Sequence, residues 1–152
     1  PRPGYVGVDS ELFLTVDAVC AVPAGHALVE ATVVTVRDLA DATLIAGAPG
    51  VFQQSVEAAF FEASIQPRFV HMAQYTAARC GLVAEGAGLA IVDPIPAREL
   101  KHLPIVLRPF QPSLPIESVL VRPTGRVPGR LVGRLINILK TEREAIPAER
   151  ER

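Results

Sequence analysis

The feature that most constrains this chain is an alternation. Short, continuous apolar runs are separated, again and again, by stretches with helical spacing. Residues 16–22 (VDAVCAV), 42–47 (ATLIAG), 68–73 (RFVHMA) and 89–94 (LAIVDP) read as strands. Residues 35–42, 51–64 and 74–85 read as helices between them, and 95–100 as one helical turn. Two further strands, 105–110 and 117–123, and a final helix from about 128 to 143 complete the order. Strands that are apolar on both faces need cover on both faces, and helical crossovers supply it. The expected fold class is therefore α/β, a mainly parallel sheet flanked by helices, with a C-terminal helix.

Local signals support these boundaries. Thr35 is placed to cap a helix, with Asp38 three residues on. Phe52, Val56, Ala59, Phe60 and Ala63 fall on one helical face. Phe61 lies beside that stripe and is left over as a candidate interface residue. Ala77, Ala78, Cys80 and Leu82 are expected to point inward from the next helix, which Gly86 would stop. Pro128 suits the first turn of the last helix, and Leu131, Leu135, Ile138 and Leu139 form its stripe. The opening PRPGYVGVDSEL has no period, and AIPAERER is a charged, frayed end. The expected organisation is a lead-in at 1–15, one lobe with its return strands at 16–123, and the last helix and tail at 124–152.

In a sheet of this kind ligands sit beyond the carboxyl ends of the strands. Those ends are expected at 23–25, 46–50, 73–75 and 93–94. The segment AGAPGVFQQS is the most suggestive, because a strand gives way to small residues and then to a helix start. The expected half-site runs from Ala46 to Phe52: Ala46, Gly47 and Ala48 would present backbone groups, and the helix starting near Gly50 would favour an anion such as a carboxylate. Gln53, Gln74 and Thr76 would add side-chain hydrogen bonds, with Tyr75 and Asp93 on the same rim.

Other chemistries find less support. No nucleophile stands with a base, and the histidines His26, His71 and His102 lack a ligand pattern, so no catalytic residue, metal site or cofactor is expected. His26 reads as a surface or helix-start residue and His71 as a structural residue inside a strand. Cys20 and Cys80 lack CxxC spacing and read as buried, inert thiols. The glycines of EGAGLA follow a helix rather than a strand, which is the wrong order for a phosphate loop and right for a tight turn. Arg126, Arg130 and Arg134 make a basic row at i, i+4 spacing. With a net charge of −1 and no recognition helix, specific binding of duplex DNA by this chain is not expected. No apolar run is long enough to span a bilayer.

Three stretches resemble LysR-type transcriptional regulators. GVDSELFLTVDAVCAVPAGHAL resembles the entry to the second half of their effector domain, with Ala27 where the family's His-Pro-Leu has proline. VTVRDLADATLI is similar to a helix and strand that follow, and ARCGLVAEGAGLAIVDP to the family's LV-x-x-G-x-G segment ending in proline. Residues 6–145 share the likeness, and RPFQPSLPIESVLVRP resembles regulators of amino-acid or opine catabolism.

The resemblance implies a periplasmic-binding-protein-like (type II) lobe. It also implies a fragment, mainly the second lobe, with a DNA-binding domain and a first lobe outside it. By the same likeness the function would be effector sensing and oligomerisation in a cytoplasmic regulator. The partners would be an amino-acid or opine-like carboxylate and further copies of the chain, as a homodimer or tetramer. DNA would be reached only through the absent domain, and no membrane is involved. The alternatives are a lobe of an exported solute-binding protein or an enzyme fragment.

Overall fold

The computed structural model describes residues 7–144. They divide into two compact units, one of residues 17–116 and one that joins the strand ends before 17 to everything from 117 on.

The larger unit is built on a sheet. Its strands are β2 (Val19–Pro23), β3 (Val34–Thr35), β4 (Thr43–Ala46), β5 (Arg68–Met72), β6 (Ala90–Val92) and β7 (Ile105–Gln111). β2 pairs antiparallel with both β6 and β7, β3 runs parallel to β7, and β4 runs parallel to β5. A parallel bridge between Leu44 and Leu89 joins the two groups of strands. It is closed by Ile45 N–H to the Leu89 carbonyl and Leu89 N–H to the Thr43 carbonyl, both 2.9 Å. The strand order is thus β5-β4-β6-β2-β7-β3, with β2 alone reversed. Mainly parallel is correct, but β2 was expected to run with the others. Its carboxyl end, residues 23–25, therefore lies at the opposite edge from the ends of β4, β5 and β6 and leaves the expected rim.

Both faces of this sheet are buried at its central strands, as their unbroken apolar runs require, whereas the edge strand β5 was expected to be buried too and is exposed except at Phe69. Cys20, Val22, Leu44 and Ile91 face one side and pack against Val56, Ala59 and Phe60 of α1 (Val51–Glu62). Val19, Ala21, Ile45, Ala90 and Val92 face the other. There they meet Cys80 and Val83 of α2 (Thr76–Ala84) and Ala97 of α3 (Pro94–Arg98). Alternate residues of one strand thus serve two separate cores.

Turn chemistry places the elements. α2 ends in a Schellman motif, with Gly86 at φ 75°. Its N–H bonds Val83, and Ala87 N–H bonds Leu82. At Gly88 a β-carbon would stand 2.7 Å from the Thr43 carbonyl, so only glycine lets the chain come close enough to bridge β4.

Several boundaries differ from expectation. Thr35 and Asp38 do bond reciprocally, but around a single 3-10 turn, Arg37–Leu39, rather than a helix over 35–42. The inward face of α2 is Arg79, Cys80 and Val83, while Ala77 and Ala78 are exposed and Leu82 is half-buried. The aperiodic lead-in contains a strand, β1 (Val8–Asp17), that pairs with β8 (Pro115–Pro123).

In the smaller unit Arg122 meets Asp9 across the strand pair at 3.9 Å, and Thr124 N–H closes on the Gly7 carbonyl. Its helix α4 (Arg130–Glu144) sends Lys140 to Glu11 at 2.6 Å and Arg143 to the Phe13 carbonyl at 3.2 Å. Arg126 precedes α4, so the expected row of three arginines on one helical face is reduced to Arg130 and Arg134. The tail from 145 lies outside the described residues.

Candidate functional site

The carboxyl ends of β4, β5 and β6 share one edge because those strands share one direction. Beyond β4 the chain passes through Gly47 to Gly50 and enters α1, whose first turn has no side-chain cap. Between that turn and β5 lies a pocket of about 540 Å³. Its walls include Ala46, Gly47, Gly50, Gln53 and Glu57 on one side and Phe69 to Met72 on the other.

Gly47 N–H donates to Gln53 Oε1 at 2.8 Å, and Gln53 Nε2 donates to Glu57 Oε1 at 2.9 Å. This relay holds the buried Gln53 side chain in place. It also means that the Gly47 N–H, expected to be presented to a ligand, is already partnered within the chain.

Behind Gly47 stands a residue that the sequence did not single out. Arg79, only 6% exposed, rises from the first turn of α2. Its Nη1 donates to the Ile91 carbonyl at 2.8 Å and its Nη2 to Thr76 Oγ1 at 3.4 Å. A β-carbon on Gly47 would lie 3.3 Å from Arg79 Nη1. The guanidinium therefore touches the end of β4, the start of α2 and the end of β6 at once. Burial pushes its pKa down, opposed by the nearby Cys80 and Asp93. The available clue was position. Arg79 sits next to Cys80 and four residues before Val83, on the face that α2 buries.

Of the residues expected at the site, Ala46, Gly47 and Gln53 line the pocket; Thr76 does not line it and instead accepts from Arg79 Nη2. Ala48, Phe52, Gln74, Tyr75 and Asp93 do not line it. Phe52 packs against the core, and Gln74 and Tyr75 are exposed. Asp93 Oδ1 accepts the Ile95 N–H as the cap of α3. His71 is exposed on β5 and lines the pocket rather than packing inside, while His26 caps a 3-10 turn through Nδ1. Cys20 and Cys80 are buried, and burial pushes the Cys20 thiol up to about 12.

A lobe of this topology, with its pocket at the carboxyl edge, is the architecture of a type II periplasmic-binding-protein-like effector domain. The chain belongs to the LysR substrate binding domain family, whose pattern it matches over residues 2–144. It is 30% identical to the regulatory protein NocR of Agrobacterium tumefaciens, over 95% of this chain and 49% of that protein. It is 31% identical to the octopine catabolism/uptake operon regulatory protein OccR of Rhizobium meliloti, over 87% of this chain and 44% of that one. The chain thus spans about half the length of these relatives, which are named as regulators and not as enzymes. Among solved structures, a LysR family regulator from Pseudomonas aeruginosa superposes with a TM-score of 0.80 at 13% identity, covering 93% of this chain and 50% of that one. The effector binding domain of QuiR in complex with shikimate gives 0.74 at 16%, covering 96% and 70%. Among the described residues no helix is long and apolar enough to cross a membrane.

Proposed function

We propose that this chain is the effector-sensing part of a cytoplasmic, DNA-binding transcriptional regulator, and that it takes a small carboxylate or amino-acid-like inducer without a cofactor. The observation that carries this is the pocket where β4 gives way to α1, walled by Gly47 and Gln53, in a chain of this family. The octopine named for OccR and the shikimate held by QuiR support the same class of ligand. DNA would be reached through a separate domain. Occupancy would favour one arrangement of subunits, and differential affinity for that arrangement would supply the regulatory free energy.

Gly47→Val in the full-length protein tests the site. The new β-carbon would stand 3.3 Å from Arg79 Nη1 and Gln53 Oε1, so the Gln53 side chain that walls the pocket must move out of its relay. Induction of a reporter should be lost while the unfolding temperature stays within a few degrees. Normal induction places the site elsewhere. A thermal-shift screen of amino acids and octopine identifies the inducer, since a ligand at 100 times its Kd adds about 2.7 kcal/mol of apparent stability.

Self-association belongs to the same proposal. Phe61 is 83% exposed on α1, and with Ile65 and Phe69 it borders a second concavity of about 920 Å³. Apolar surface of this kind marks an interaction site. Sedimentation at high micromolar concentration should show dimers or larger species, and Phe61→Ser should shift them toward monomer. A monomer throughout would refute the assignment.

A further inference from the structure

Arg79 is a cation that the fold buries without an ion-pair contact. It is 6% exposed, it forms no ion pair among the described residues, and its Nε has no hydrogen-bond partner. Its polar contacts are one carbonyl, that of Ile91, and one hydroxyl, that of Thr76. The Asp93 carboxylate, close enough to be felt, is engaged with the Ile95 N–H. Buried charges are ordinarily paired, because leaving water is costly unless an opposite charge compensates. Packing alone would be served better at this position by leucine or methionine.

What distinguishes the location is Gly47. It lacks a side chain at the one point where the guanidinium approaches the pocket wall, with 3.3 Å between Arg79 Nη1 and the place a β-carbon would occupy. The pocket begins on the other side of that residue. Its lining also carries a negative group, Glu57, which accepts from the Gln53 amide that faces Gly47 with its oxygen. The cation behind Gly47 and the carboxylate at Glu57 thus act on the pocket with opposite signs. An anion is favoured near Gly47 and disfavoured near Glu57.

We propose that Arg79 is the charge selector of the effector pocket, making it prefer a carboxylate at the Gly47 end over a neutral group of the same shape. This rests on the assignment of the pocket as the effector site. Arg79 acts from behind the wall, as a positioning and selecting residue, and a ligand carboxylate would add to Asp93 as a compensating charge.

The test uses the full-length protein and two probes of matched shape, propionate and propionamide, followed by saturation-transfer NMR titration. Wild type should bind propionate at least tenfold more tightly than propionamide. Arg79→Gln should bring that ratio close to one, and Arg79→Lys should keep part of it. Arg79→Met should unfold within a few degrees of wild type, because relief of the buried charge offsets the lost bond to the Ile91 carbonyl. A purely structural arginine would give the reverse pattern, a lower unfolding temperature with the ratio unchanged, and that result overturns the proposal. Gly50→Val separates the two levels, because Gly50 lines the pocket and a β-carbon there would meet only the Ala48 carbonyl, at 4.0 Å. If it removes the propionate signal while Arg79→Gln leaves the preference intact, the selector fails and the pocket stands. If Gly50→Val leaves the signal untouched, or wild type shows none, the pocket assignment falls and the selector with it.

Discussion

Residues 17–116 and the strand pair with its helix treat their apolar side chains in opposite ways. In the first, Leu44, Phe60 and Val92 are closed off on both faces of a sheet. In the second, α4 carries a stripe as regular as that of α1, yet Leu131, Leu135 and Ile138 are exposed. Periodicity shows that a helix has an apolar face. It does not show that the chain in hand supplies something to cover it. Helix propensity, the Lys140–Glu11 ion pair and the Arg143 bond to the Phe13 carbonyl hold α4, whereas burial holds α1.

The sharpest way to break this contrast is a matched pair of truncations. Leu44 is 1% exposed and Leu135 is 55% exposed. Leu44→Ala leaves a cavity between β4 and α1 and should cost about 3 kcal/mol or more. Leu135→Ala in this same chain should cost about 0.5 kcal/mol or less. Denaturant unfolding of both variants measures the difference. Equal losses would mean that the α4 stripe is buried in solution, by another copy of the chain or by association within it.

The same contrast explains what the sequence made legible. The helices α1 and α2 and the apolar strands were readable because each buries a face within its own neighbourhood. The direction of β2 was not readable, since an apolar run such as VCAV is the same pattern whichever way it points. The turn at 37–39 kept its capping pair but not its helix, because β3 claims residues up to Thr35 and β4 begins at Thr43. At the site, Gly47 and Gln53 were legible from the strand-to-helix break. Arg79 was not, because a charged residue between alanines on one side and a glycine-containing turn on the other reads as solvent-facing. Only its register with Cys80 and Val83 marks it as inward.

An intermediate effect comes from titration. Cys20 lies in the closed core, with its thiol pushed up to about 12 by burial. An unfolded thiol ionises near 8.5. The native state thus holds the proton longer than the unfolded state does. Its contribution to stability is complete below the unfolded value and is lost as pH climbs toward 12. The slope is about 1.4 kcal/mol per pH unit above roughly 9. Unfolding temperatures at pH 7.5 and 10 should fall more for wild type than for Cys20→Ala. An identical fall would show that this core is open to solvent, as the α4 stripe is.

The smallest effect concerns backbone strain. Ser64 follows α1 at φ 57°, in the left-handed region, where its N–H bonds Phe61 and the next N–H, of Ile65, bonds Phe60. This is the same Schellman geometry that Gly86 provides after α2, made with a residue that has a β-carbon. A left-handed conformation costs an L-residue roughly 1–2 kcal/mol, offset in part by the extra freedom that glycine loses on folding. Ser64→Gly should therefore raise stability by about 0.5–1 kcal/mol, or roughly 2–4 °C. In the smaller unit the left-handed position between β8 and α4 is already glycine, Gly125 at φ 73°. The left-handed position after α1 is thus a serine, while those after α2 and in the smaller unit are glycines. A thermal melt of Ser64→Gly that matches or falls below wild type would break that distinction, by showing that the serine makes up its cost through a contact of its own.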